Sequence, residues 1–170
     1  WLTMKILIIH QNFPGQFRQL APYLKQAGHE LIAICSHDRP VMPGVEVLRY
    51  STPPKPPGPM SLSQQLWFEA LARAEAVARH SEQLRVRCWI PDRILAHSGW
   101  GEPLGLQEVF PDVPVILWPE LWVKPEHGGY GSDPQLPPAG LNQRLEQLGR
   151  NAITRLALER ASAWVLPTLH

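Results

Sequence analysis

The sequence holds only two cysteines, Cys35 and Cys88, and no marked excess of either charge. Two thiols do not make a disulfide framework, and they suit a reducing, cytoplasmic compartment. A formal net charge of +1 gives no electrostatic reason to expect a nucleic-acid partner. No apolar run approaches the ~20 residues of a membrane-spanning helix; peripheral membrane contact stays open. Several catalytic signatures are missing as well. There is no G-x-S-x-G elbow and no phosphate loop ending in G-K-[S/T]. The 7 histidines are scattered without H-x-x-x-H spacing, so no metal site is expected. Trp1-Leu2-Thr3 lacks the features of a secretory signal and reads as a leader or cloning remnant before Met4.

The 170 residues are 44% hydrophobic, with a mean hydropathy of −0.18. That fits one globular domain with a sizeable core. Proline and tryptophan are plentiful, at 19 and 7 residues. Their clustering suggests long, shaped loops on a rigid frame.

The organising stretch runs from Met4 to Gly28. Lys5-Ile6-Leu7-Ile8-Ile9 is continuously apolar after its first residue, as in a strand covered on both faces. His10 to Gly15 breaks that run with polar and turn-forming residues. From Gln16 the period becomes helical, with Phe17, Leu20, Ala21 and Leu24 on one face. Gly28 ends the helix, and Leu31 to Cys35 is a second buried strand. Further strands are expected at Val45–Tyr50, Asp92–His97, Val113–Trp118 and Trp164–Leu166. The proline-rich stretch 53–59 should run extended. Ser61 or Ser63 caps a long helix whose inner face is Leu66, Ala70, Ala74, Val77, Ser81, Leu84 and Cys88. Pro103 opens a short helix. Residues 121–140 form a long loop with four glycines and four prolines. Leu141, Leu145, Leu148, Ala152 and Leu156 stripe a final helix. The alternation of elements predicts an α/β fold: a three-layer, Rossmann-like open parallel sheet with helices on both faces. Right-handed crossovers favour strand order 3-2-1-4-5-6. Strands 1 and 4 then lie side by side, and a crevice opens beyond Ile9 and Ala96.

His10, His97 and Glu120 stand at the carboxyl ends of strands 1, 4 and 5. If they converge, two imidazoles and a carboxylate suit acid–base work near neutral pH; each could instead only bond loop backbone. Asn12 to Gln16 leads into a helix start, where backbone amides attract an anion such as phosphate. Ser98-Gly99-Trp100-Gly101-Glu102-Pro103-Leu104-Gly105 tempts a nucleotide reading through its glycines. It follows the fourth strand, however, and Glu102 puts negative charge where a phosphate would sit. Glu102 suits hydroxyl groups or a cation, and Trp100 offers a flat face to a sugar ring. Trp118-Pro119-Glu120-Leu121-Trp122 repeats a carboxylate between aromatics. Trp118 reads as core, while Trp122 and Tyr130 are candidates to close over an acceptor. Among the arginines of the last helix, Arg150 stands out near its middle.

Four segments carry a resemblance: MKILIIHQNFPGQFRQLAPYL; ILAHSGWGEPL; the strand ending WPE before a Gly-rich loop; and GRNAITRLALERASAWVLPT. Together they resemble the N-terminal half of bacterial glycosyltransferases of family 4. The subgroup is the one with an H-x-G-W-G-E segment, here His97 to Glu102. The resemblance covers the chain from Met4. It implies that residues 4–170 are the single Rossmann-like N-terminal domain of a two-domain GT-B enzyme, whose C-terminal donor-binding domain is absent from this chain. It implies a hexosyltransferase type of transfer from a nucleotide-sugar, with retention, to a saccharide or other hydroxyl acceptor. No metal and no cofactor beyond that co-substrate are implied, and the domain alone is expected to be inactive. By the same resemblance Gly15 and Gln16 approach the donor diphosphate, and His97 and Glu120 line the acceptor side of the reacting carbon. Many relatives carry histidine where this chain has Glu120. His10, Trp100, Glu102, Trp122 and Tyr130 are the expected acceptor contacts. A non-catalytic nucleotide- or sugar-binding regulatory module is the alternative. A nicotinamide enzyme fits less well, because the first loop has a single glycine and strand 2 ends in Cys35-Ser36-His37 rather than an acid.

Overall fold

Strand β1 is Lys5–Ile9, and its last four residues are buried. In the computed structural model, which describes residues 2–37, 42–51, 54–119, 122–124 and 137–166, β1 lies in the middle of one sheet. Its neighbours are β2 (Glu30–Cys35) and β4 (Arg93–His97), both parallel to it. Beyond them lie β3 (Glu46–Arg49), β5 (Val115–Trp118) and β6 (Ala163–Trp164). The order is β3-β2-β1-β4-β5-β6, as the alternation of elements predicts. Register pairs Ile9 with both Ile34 and Ala96, and His97 with Trp118. The ends of β1, β4 and β5 therefore stand side by side.

Successive strand residues point to opposite faces, so the sheet makes two cores. Leu7, Ile9, Ile94, Ala96, Val115 and Leu117 face one way, toward the long helices. Ile6, Ile8, Leu31 and Ala33 face the other way, against Phe13, Phe17 and Ala21. Each phenylalanine is essentially inaccessible, which contributes roughly 1.5–3 kcal/mol apiece. The expected continuous helix from Gln16 is broken in two. Gly15–Arg18 is a 3₁₀ turn, and α1 is the seven residues Leu20–Gln26.

Helix α2 is Leu62–Val86. Ser61 caps it: the Gln64 N–H donates to the Ser61 hydroxyl, and the Ser61 N–H donates back to Gln64 Oε1 at 2.9 Å. A cap of this kind stabilises a helix start by ~1 kcal/mol. Ala70, Ala74, Val77, Ser81 and Leu84 form the buried face. Cys88 does not belong to it. The helix ends at Val86, and Cys88 is exposed in a left-handed conformation at φ 58°.

A 3₁₀ helix at Glu102–Gly105 and the short α3 (Leu106–Val109) pack on α2. Gly101 has φ 100°, and a Cβ built there would stand 2.5 Å from the carbonyl oxygen of Ala70. A Cβ on Gly105 would be 3.1 Å from that of Ala74. These glycines serve close approach to a helix, which is a further reason against reading them as a phosphate cradle.

Helix α4 (Leu141–Glu159) turns the opposite way from the one its leucines suggest. An apolar stripe normally faces the core. Here Leu141, Leu145, Leu148 and Leu156 are exposed, while Gln147, Asn151, Ile153, Thr154 and Ala157 are buried. The cause is polar. The Asn151 amide donates to the carbonyl of Val123 at 2.7 Å, and the Gln147 amide donates to Asn151 Oδ1 at 2.9 Å. Turning this face inward satisfies the Val123 carbonyl. Strand β6 is shorter than expected, and both its residues are exposed.

Candidate functional site

The site is built at the ends of β1 and β4, whose connections leave toward opposite faces of the sheet. His10 follows β1 and His97 ends β4. Their ring centroids are 5.2 Å apart, with the planes tilted by 49°. Both rings are buried, at 7% and 3% exposure. Each is held by the same kind of turn. The Asn12 N–H donates to His10 Nδ1 at 3.0 Å, and the Gly99 N–H donates to His97 Nδ1 at 3.3 Å. Burial, reinforced by His97 and then His37, pulls the His10 imidazole down to about 4. The His37 ring reaches in from the end of β2, and its Nε2 donates to the Phe13 carbonyl at 2.6 Å.

Gly15 lies over His10. Its φ is 43°, and a Cβ built there would be 2.4 Å from His10 Cε1. Only glycine fits, because the imidazole occupies the space of any side chain. Gly15 remains partly open to solvent. Beside it, Gln16 Oε1 is enclosed without a hydrogen-bond partner among the described residues.

Glu102, expected to meet an acceptor hydroxyl, instead meets one from the chain itself. It is 1% exposed, and the Tyr50 hydroxyl donates to its Oε1 at 3.0 Å. Its Oε2 has no partner among the described residues. Burial pushes the Glu102 carboxyl above the usual range, against the opposing pull of Tyr50 and Arg73. Burial, then the facing Glu102, also raises the Tyr50 phenol.

Trp100 is half-buried between two helices. The guanidinium carbons of Arg73 (α2) and Arg150 (α4) lie 5.9 and 5.8 Å from its ring centroid. Arg73 pairs with Glu69 at 3.1 Å, and Arg150 with Glu146 at 2.8 Å. Trp118 is half-buried and meets Phe17 edge-on at 5.9 Å. Trp122 is 56% exposed, on a segment that Asn151 anchors at Val123. Glu120 and Tyr130 lie outside the described residues.

The structure thus brings together His10, His97 and Gly15 directly, with Gln16 next in the chain. Trp100 and Glu102 lie on the loop that leaves His97. Three participants had no signal in the sequence: Tyr50, His37 and Arg73. Each joins the site through a contact between elements far apart in the chain. Among the described residues, no three His, Cys, Asp or Glu side chains group so as to hold a metal ion. No described helix is long and apolar enough to cross a membrane.

A family model described as the glycosyl transferase family 4 group matches residues 27–170. No curated protein matches the chain by sequence. Among solved structures, the glycosyltransferase SsfS6 of Streptomyces sp. SF2575, complexed with thymidine diphosphate, aligns at 18% identity and a TM-score of 0.48. That alignment covers 91% of this chain and 45% of SsfS6. The glycosyltransferase SnogD of Streptomyces nogalater aligns at 17% identity and a TM-score of 0.47, covering 99% of this chain and 44% of SnogD. A Burkholderia cenocepacia J2315 protein, proposed to be an epimerase, aligns at 16% identity and a TM-score of 0.46, covering 96% and 52%. The chain spans about half the length of these proteins. Likeness at this level says nothing of activity.

Proposed function

Because the chain belongs to the glycosyl transferase family 4 group, we propose that it forms the acceptor-side half of a retaining, metal-independent glycosyltransferase. The donor is a nucleotide-sugar, and the acceptor is a saccharide or another hydroxyl compound. A second, donor-binding half would complete the cleft. The observation that carries this reading is the pairing of His10 and His97, 5.2 Å apart at the ends of adjacent parallel strands. Ligands of open α/β sheets bind in that crevice, where the connections diverge.

In the proposed reaction the bond from the anomeric carbon to the diphosphate breaks. The acceptor oxygen bonds to the same face of the sugar, and its proton leaves. Positive charge builds on the sugar ring and negative charge on the departing diphosphate. The Gly15–Gln16 turn is assigned to that diphosphate. Its backbone can come close because Gly15 has no side chain, and preorganised donors there would stabilise the leaving charge. Glu120 and His97 are assigned to the acceptor side, where they orient or deprotonate the attacking hydroxyl. Trp100, Trp122 and Tyr130 are assigned to the acceptor's body. Glu102, enclosed with Tyr50, is assigned to holding the loop that carries Trp100. The working compartment on this reading is the cytoplasm.

The test uses the complete two-domain protein. Glu120→Gln should lower turnover by ~100-fold or more while donor affinity changes little. Turnover equal to that of the unaltered protein would refute the role given to Glu120.

A further inference from the structure

The two imidazoles are prepared in the same way. At each, a backbone N–H two residues along the chain donates to Nδ1. At each, a glycine packs so close that a Cβ would fall within 2.4 Å of His10 Cε1 or 2.9 Å of His97 Cε1. A nitrogen that accepts a hydrogen bond carries no proton, so an uncharged ring held this way has its proton on Nε2. We propose that His10 serves the ligand as an uncharged hydrogen-bond donor through Nε2, with His97 locked beside it in the same tautomer, so that neither imidazole is the base of the reaction.

This deepens the proposed function and rests on it for the identity of the ligand, though not for the state of the rings. To accept a proton at Nε2, either ring would first have to move its own proton to Nδ1. That move breaks the turn bond at Asn12 or Gly99. To become a cation, either ring would lose the same bond in a buried place. Burial and the neighbouring imidazoles oppose charge at His10 in particular. The Nε2 of His10 has no hydrogen-bond partner among the described residues, while the ring is otherwise covered by Gly15, Phe17 and His97. A donor placed so suits an electron-rich oxygen. That oxygen belongs either to the donor diphosphate or to a sugar hydroxyl, and of the two roles proposed for His97 this leaves orientation of the hydroxyl.

Long-range proton–nitrogen NMR spectra of the 15N-labelled chain at neutral pH read the tautomers directly. The expected result is the Nε2–H form for both His10 and His97. A proton on Nδ1, or a cationic ring, would overturn the proposal. Titration with inorganic pyrophosphate and, separately, with methyl glucoside then identifies the oxygen. Movement of the His10 Nε2–H signal with pyrophosphate assigns the phosphate, and movement with the glucoside assigns the hydroxyl. No movement with either, at tens of millimolar and in the complete two-domain protein, overturns the ligand role. His10→Gln keeps a donor at the Nε2 position and should weaken the responding probe by less than ~5-fold. His10→Leu removes the donor and should weaken it by ~10-fold or more. Equal weakening by both variants would also count against the proposal. Loss of sugar transfer in the complete protein would bear on the proposed function and leave the tautomer result untouched.

Discussion

At the scale of single residues, a buried imidazole that stays uncharged makes the fold sensitive to acid. The His10 value falls from 6.5 to about 4 on folding. Above pH 6.5 neither state binds the proton, and the fold loses nothing. As the pH drops from 6.5 toward 4, the unfolded chain takes up a proton that the folded chain refuses. Stability therefore falls through that window, by about 3 kcal/mol at most. Glu102 works in the opposite sense. Its folded value is raised by burial, so the folded chain keeps a proton that the unfolded chain sheds as the pH rises above 4.5. Comparing variants separates the two. His10→Gln should lose less stability than the unaltered chain between pH 6.5 and 4, as read from urea midpoints. Equal losses would contradict the enclosed, neutral His10.

Among the elements, α4 makes the sharpest test of packing. Its core-facing residues are Ile153 and Ala157, with Gln147 and Asn151 bonded to each other and to Val123. Ile153→Ala should cost ~2–4 kcal/mol, and Leu148→Ala on the outward stripe less than ~0.5 kcal/mol. The reverse ranking, measured by chemical denaturation, would mean the helix is rotated. The same element marks the limit of reading from sequence. Periodicity found the helix and its leucine stripe, but periodicity cannot tell which face a neighbouring backbone requires to be polar. The capped α2 was legible because Ser61 and Gln64 lie within one turn of each other. The unequal fate of Cys88 was not, since the helix ends five residues before Pro91. Likewise His10 and His97 were legible as strand ends, whereas Tyr50 reaches Glu102 only through tertiary packing.

For the molecule as a whole, the sheet order followed from connection handedness alone, and it set the ends of β1 and β4 side by side. The loop glycines resemble a nucleotide motif that their place after the fourth strand and Glu102 already argued against, and their spacing answers to Ala70 and Ala74 on α2. The half-enzyme reading predicts a particular calorimetric result. Titrated with nucleotide-sugars, free nucleotides and nicotinamide adenine dinucleotide, the isolated chain should bind weakly or not at all. Tight binding of a nucleotide without a second half would favour the regulatory module, and tight binding of the dinucleotide an oxidoreductase.

The position of Trp100 has its own implication. Guanidinium groups from α2 and α4 already rest on the indole, so a sugar that stacks there enters a competition. It must displace an arginine from the ring, or settle on whatever area the arginines leave. An arginine released in that exchange would become available to an anionic substituent on the same guest. Recognition of a ring and recognition of its charge would then be one event rather than two.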